Sequence, residues 1–165
     1  MVFSSDGTKL ALISPFSTPK VWDVTTQQEI TFPNIKHVNA LAFSPDNATL
    51  ALGGREDIYL WKLDTPTKDE PKVISSNLHL FREALTFSPD GSILIDSGKK
   101  DRDILIKLWD VETGNQVVTL TGHTETVTTL VFSPDEKTLA SGSQDGTVLL
   151  WDWEKVIAER VPDNK

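Results

Sequence analysis

The chain of 165 residues contains no cysteine, which excludes disulfides, thiolate metal sites and cysteine nucleophiles. That absence fits a reducing compartment, and a cytoplasmic location is the expectation. Basic side chains are in the minority, 16 Lys and Arg against 24 Asp and Glu, for a formal net charge of −8. The broad basic face needed to hold nucleic acid or an anionic membrane is therefore not expected. No apolar run approaches the roughly 20 residues that span a bilayer. The first residues, Met1 to Gly7, lack the basic and then apolar order of a signal peptide. Histidine is scarce too: His37 and His79 stand alone, with no second ligand at metal-site spacing. Asp101 and Asp103 alternate with basic residues and lack the Gly and bidentate Glu of a calcium loop. Asn47-Ala48-Thr49 is a formal glycosylation sequon, but without a secretory signal it reads as a turn. A Gly-rich phosphate loop is absent as well. No metal and no cofactor are expected.

What the chain does have is a repeat. Phe-Ser followed by a turn occurs at Phe3-Ser4-Ser5-Asp6, Phe43-Ser44-Pro45-Asp46, Phe87-Ser88-Pro89-Asp90 and Phe132-Ser133-Pro134-Asp135. The intervals between the Phe residues are 40, 44 and 45. A tryptophan follows each, at Trp22, Trp61, Trp109 and Trp151, by 19, 18, 22 and 19 residues. Two landmarks coupled four times over do not arise by chance, and periods of this length signal solenoids, propellers or arrays.

Within a unit the pattern is that of short strands. Ala40-Leu41-Ala42-Phe43, Ala84-Leu85-Thr86-Phe87 and Thr129-Leu130-Val131-Phe132 alternate with period two. Ser-Pro-Asp-Gly supplies a turn, because Pro presets φ at one position and Gly or Asn accepts the conformation that closes it. A second strand follows, such as Thr138-Leu139-Ala140-Ser141. A Gly/Asp turn leads to a third, Thr147 to Trp151, and a more variable fourth follows, as in Gln116 to Leu120. Four short strands per 40–45 residues, repeated, describe the blades of an all-β propeller.

Thr121-Gly122-His123, Phe132-Ser133-Pro134-Asp135, Leu139 to Gly146 and Leu150-Trp151-Asp152 together resemble an unbroken WD repeat. Weaker copies cover nearly the whole chain; Trp22-Asp23 and Trp109-Asp110 keep the terminal dipeptide, whereas the second copy has Trp61-Lys62. The resemblance implies a buried polar network in the last repeat, made of His123, Ser141, Asp145 and Trp151. In it the indole N–H donates to the hydroxyl, the hydroxyl to imidazole, and the carboxylate fixes the other ring nitrogen. The third copy has Asp96 in the serine position and a three-residue insertion around Lys99 to Asp103. The second has Leu52 and the first Leu12 at the same place. Those three blades are expected to rely on apolar packing and to be less rigid. A Ser, His and Asp in one motif invite a catalytic reading. The set comes with a packing tryptophan and without a nucleophile elbow, however, so no catalytic residue is assigned.

Residues 1–161 are expected to form one propeller segment, with repeats at about 1–23 (partial), 27–62, 73–110 and 117–152, and 162–165 a disordered tail. The first blade lacks most of its innermost strand, and residues 152–161 are the candidate fourth strand of the last blade. Four blades fall short of the ring the family usually builds, so the segment reads as part of a larger ring. The expected function is a non-catalytic scaffold that binds other proteins or peptides. A sensor or regulatory part at the C-terminal end of a larger signalling protein, or a propeller enzyme, are the alternatives. By the resemblance, partners meet the loops between second and third strands: Ser14 to Lys20, Gly53 to Asp57, Gly98 to Asp103 and Gly142 to Gly146. Arg55, Lys100, Arg102 and Gln144 are the candidate binding residues there, since Arg is enriched at binding hot spots. Open end blades are expected to drive self-association, including a homodimer that closes an eight-bladed ring.

Overall fold

All four Phe-Ser turns close in the same way in the computed structural model, which describes residues 1–14, 18–30, 35, 37–55, 57–63, 70–75, 82–100 and 103–159. The hydroxyl of Ser4, Ser44, Ser88 or Ser133 donates to the aspartate two residues on, at 2.5–2.6 Å. The same oxygen accepts the backbone N–H five residues on, at 2.9–3.0 Å. Each serine N–H in turn donates to the carbonyl of that fifth residue. A hairpin is thus pinned by one side chain with all its polar groups used. The fourth turn position has positive φ at Gly7, Asn47, Gly91 and Glu136. Glycine accepts that conformation freely, Asn tolerates it, and Glu136 holds it against the steric cost of its Cβ.

These turns join the first two strands of four antiparallel sheets. The first sheet is β1 (Val2–Phe3), β2 (Lys9–Leu12), β3 (Lys20–Asp23) and β4 (Gln28–Ile30). The second is β5 (Ala40–Phe43), β6 (Thr49–Gly53), β7 (Asp57–Lys62) and β8 (Lys72–Ser75). The third is β9 (Leu85–Phe87), β10 (Ile93–Lys100), β11 (Asp103–Asp110) and β12 (Gln116–Leu120). The fourth has β13 (Val127–Phe132), β14 (Thr138–Ser143) and β15 (Val148–Asp152). Strand order follows chain order in every sheet. Val2, Leu41, Leu85 and Leu130, one from each innermost strand, line a common cavity of about 430 Å³. The four sheets therefore radiate from one axis as propeller blades.

Register explains what holds neighbouring blades together. One row across each blade is aromatic and bulky: Phe43, Leu50 and Trp61 in the second, Phe87, Leu94 and Trp109 in the third, Phe132, Leu139 and Trp151 in the fourth. The adjacent row, on the opposite face, is aliphatic: Val2, Ala11, Val21 and Ile30; Ala42, Ala51 and Leu60; Ile95, Leu108 and Val118. Each tryptophan row packs on the aliphatic row of the preceding blade, giving three apolar clusters for four blades. Burial of one such large side chain stabilises by about 1.5–3 kcal/mol. Two rows are left over. Phe3, Leu10 and Trp22 on the first blade and Val131, Ala140 and Leu150 on the fourth have no blade against them, with Phe3 58% and Leu150 71% exposed. Among the described residues no cluster joins the first and fourth blades.

One expectation needs correction here. The segment after Trp151 is a helix, α1 (Trp153–Ala158), so the last blade has three strands among the described residues. Its apolar residues, Trp153, Val156 and Ile157, recur at helical rather than strand spacing. Asp152 caps the helix by accepting the Lys155 N–H at 3.2 Å. The first blade, by contrast, has all four strands, with the innermost cut to two residues. The insertion near Lys99 lengthens a hairpin: β10 and β11 stay paired out to Lys100 and Asp103. Residues 160–165, the expected tail included, lie outside the described residues.

Candidate functional site

In the fourth blade, Trp151 Nε1 donates to Ser141 Oγ at 2.9 Å, and Ser141 Oγ lies 2.8 Å from His123 Nε2. His123 Nδ1 is 3.0 Å from Asp145 Oδ2. An indole N–H can only donate, so the hydroxyl proton is free for Nε2, and the ring proton sits on Nδ1 facing the carboxylate. Asp145 also accepts the N–H groups of Thr124 and Thr147 and the Thr147 hydroxyl. That hydroxyl is the main reason its carboxyl lies well below the usual carboxylate range; the backbone donors and His123 add to it, and partial desolvation opposes it. Ser141 is fully buried and His123 nearly so. The serine oxygen is enclosed and engaged on both sides, an arrangement that pins β14 to β15 and to the segment before β13.

The third blade departs from the expected apolar packing. Trp109 Nε1 donates to Asp96 Oδ1 at 2.7 Å, so a carboxylate takes the acceptor role that Ser141 has in the fourth blade. Arg82 Nε donates to Asp96 Oδ2 at 2.8 Å, and Arg82 Nη1 donates to the Gly54 carbonyl of the second blade at 2.6 Å. Both side chains are fully buried. A Cβ on Gly53 would stand 3.3 Å from both Arg82 Cδ and Ala40 Cβ, so glycine there leaves room for the guanidinium stem. Beside this pair, the mostly buried Lys107 places Nζ 5.5 Å from the Trp109 ring centroid. A sequence signal for the pair existed: Asp96 interrupts Ile93-Leu94-Ile95, and a carboxylate inside an apolar strand requires a cation. Other polar contacts tie blades together: Ser97 Oγ to the Val127 carbonyl at 2.9 Å, and Ser5 N–H to Asn47 Oδ1 at 2.8 Å. The sequon asparagine is thus a joint between the first two blades.

Gly53 to Arg55 and Gly142 to Gly146 each follow the second strand of their blade. Arg55 and Gln144 are exposed there. Arg82 holds the carbonyl of Gly54, next to Arg55, from behind. The Gln144 loop is set by Ser143 Oγ donating to the Glu125 carbonyl at 2.8 Å and by Gln144 N–H donating to the Thr126 carbonyl at 2.9 Å. Arg102 and the side chain of Lys100 fall outside the described residues, as does His79. His37 is exposed. Among the described residues no three His, Asp or Glu side chains converge as a metal site, and no helix is long and apolar enough to cross a membrane.

The model of the WD domain, G-beta repeat family matches residues 27–62, 83–110 and 114–152, more than half of the chain. Human apoptotic protease-activating factor 1 is 26% identical over 93% of this chain and 13% of its own length. Guanine nucleotide-binding protein subunit beta-1 of Caenorhabditis briggsae is 30% identical over 87% of this chain and 42% of its own length. Human WD repeat and SOCS box-containing protein 1 is 33% identical over 68% of this chain and 26% of its own length. The chain therefore spans less than half the length of each of these relatives. With its three matched segments and its radial blades, it belongs to the WD domain, G-beta repeat family.

Proposed function

We propose that this chain is a non-catalytic scaffold whose rim of second-to-third-strand loops holds another protein or peptide. The observation that carries this reading is which polar side chains are buried and which are exposed. His123, Ser141 and Asp145 are consumed inside a blade, whereas Arg55 and Gln144 stand exposed on loops braced from within. Lys100 and Arg102 belong to the same rim by sequence. Loops on a rigid scaffold are where binding residues concentrate. The two cavities at the innermost strands are lined by apolar, Ser, Thr, Asn and Pro residues and one carboxylate, Glu83. The relatives fit the reading, since one is by name a subunit and another, serine-threonine kinase receptor-associated protein of Dictyostelium discoideum, is by name receptor-associated. A role as one part of a larger signalling protein is compatible with the same rim. A cytoplasmic setting suits the cysteine-free chain.

A photo-crosslinking residue placed at Arg55 or Gln144, in cells of the source organism, should trap a defined polypeptide that the same probe at Asp90, in a Phe-Ser turn, does not. Equal capture from both places, or none from the loops, counts against the rim. A serine-directed phosphonate should leave Ser141 unlabelled.

A second reading rests on the two unpaired rows. The Phe3, Leu10, Trp22 row and the Val131, Ala140, Leu150 row are the two halves of the contact made three times inside the chain. Two copies joined head to tail at both ends would make an eight-bladed ring.

A further inference from the structure

The third blade differs from its neighbours at two consecutive positions of its second strand. Aligned on the tryptophan row, Asp96 stands where the second and fourth blades have Leu52 and Ser141, and Ser97 where they have Gly53 and Gly142. Both side chains are buried. Consecutive side chains of a strand point to opposite faces. Asp96 lies on the face that carries Trp109 toward the second blade, and Ser97 on the face that carries Ile95 toward the fourth.

Each of the two reaches a neighbouring blade. Asp96 Oδ2 accepts Arg82 Nε at 2.8 Å, and Arg82 Nη1 donates to the Gly54 carbonyl at 2.6 Å, in the loop that bears Arg55. The Ser97 hydroxyl donates to the Val127 carbonyl at 2.9 Å. Val127 follows directly on Glu125 and Thr126, whose carbonyls accept the Ser143 hydroxyl and the Gln144 N–H at 2.8 and 2.9 Å. β13 is bulged between Val127 and Thr129, so Ser97 fastens this segment where its own ladder is interrupted. Gly53 and Gly142 have no side chain to do the same in their blades.

We infer that Asp96 and Ser97 are positioning residues, which hold the Arg55 loop and the Gln144 loop in one fixed relation so that a single partner meets both. The inference rests on the reading of these loops as the binding rim. Both residues are buried, so they act through Arg82 and Val127 and not by touching the partner. Two loops held in advance spare the partner the cost of ordering each one on binding.

Two amides report on the loops: Gly54 N–H donates to the Asp57 carbonyl, and Gln144 N–H to the Thr126 carbonyl, both at 2.9 Å. The N–H groups of Thr49 and Thr138, bonded to Ser44 and Ser133 at the other end of β6 and β14, report on the same blades away from the loops. In Ser97→Ala, hydrogen exchange at Gln144 should quicken about tenfold relative to Thr138, with Gly54 unchanged. Arg82→Lys puts a single ammonium in place of the forked guanidinium. There Gly54 should quicken relative to Thr49, with Gln144 unchanged. Ser97→Ala removes one hydroxyl from a strand that keeps its ladder, so it decides the question should Arg82→Lys not fold. Photo-crosslinkers at Arg55 and at Gln144 should trap the same polypeptide, and Ser97→Ala should lower both yields severalfold although it leaves the Arg55 loop itself unchanged. Exchange at Gln144 that keeps pace with Thr138 in Ser97→Ala, or capture at Arg55 that Ser97→Ala does not lower, would overturn the inference. Crosslinkers that trap nothing from the wild-type chain would overturn the rim reading instead, and the exchange data would still decide whether Ser97 positions the Gln144 loop.

Discussion

Arg82 Nε lies 2.8 Å from Asp96 Oδ2, and neither side chain is open to solvent. Through the Gly54 carbonyl on one side and the Trp109 indole on the other, this pair links the rim loop of the second blade to the packing tryptophan of the third. Removing two charges from water is unfavourable by several kcal/mol per ion, on the order given by continuum and mutational work. The pair is tolerable because the charged groups have hydrogen-bond partners beyond each other.

Removing only the cation should therefore be severe. Arg82→Met takes from the buried Asp96 carboxylate the guanidinium that is bonded to it and should lower stability by about 3–5 kcal/mol in urea melts. Adding Asp96→Ser to Arg82→Met should recover much of that loss, because a hydroxyl can accept the Trp109 N–H as Ser141 accepts that of Trp151. If the double variant is no more stable than the single, the stranded carboxylate is not the source of the cost.

The fourth blade offers the neutral counterpart of this arrangement. Trp151→Ala removes packing from the cluster shared with the third blade and takes the indole donor from Ser141, and should cost about 3–5 kcal/mol. His123→Ala removes one ring from the chain of hydrogen bonds and should cost less, about 1–3 kcal/mol. Denaturant midpoints at constant slope measure both. Equal and negligible losses would show that the network does not brace this blade.

The turn aspartates make stability depend on acid. The Ser4 hydroxyl, followed by the Thr8 donors, pulls Asp6 down to about 2. Asp46 and Asp135 are lowered chiefly by the hydroxyls of Ser44 and Ser133, and Asp145 chiefly by that of Thr147. A carboxyl whose folded pKa is depressed stabilises the fold above its unfolded pKa, near 3.9, and that contribution disappears as pH falls toward the folded value. Urea midpoints should be flat from neutral pH to about 5 and fall steadily between about 5 and 2. Asp135→Asn should lower the midpoint at pH 7 and make the acid slope shallower. An unchanged slope would remove this turn from the acid response.

The repeat was legible because its spacing is fixed by geometry. One blade needs the Phe-Ser hairpin and the tryptophan row in register, and both leave marks at every turn of the chain. The Ser141, His123 and Asp145 positions were legible through the intact last repeat. Arg82 was not, because it stands where the neighbouring copies have the buried Val38 and Val127, a place that reads as apolar, and its role exists only where Asp96 replaces a hydroxyl. The helix after Trp151 is legible in the helical spacing of Trp153, Val156 and Ile157, which a fourth strand over residues 152–161 would not use. The exposure of Trp22 and Leu150 agrees with the expectation of open end blades, which came from the blade count.

Those two side chains carry the last prediction. The Trp22 row and the Leu150 row each lack the partner that the equivalent rows have inside the chain. If the chain associates through them, the contact is head to tail, and two copies placed around a twofold axis make it twice. One substitution then damages both junctions at once. Sedimentation across a dilution series should show a species of twice 18.3 kDa giving way to the monomer. Leu150→Lys, and separately Trp22→Lys, should shift that equilibrium to monomer while leaving the strand content unchanged. Mixing the two variants gives pairs with one wild-type junction and one doubly substituted junction, and should recover part of the dimer but not the closed ring. A wild-type chain that stays monomeric and cooperatively folded at high micromolar concentration would rule out self-association through these rows.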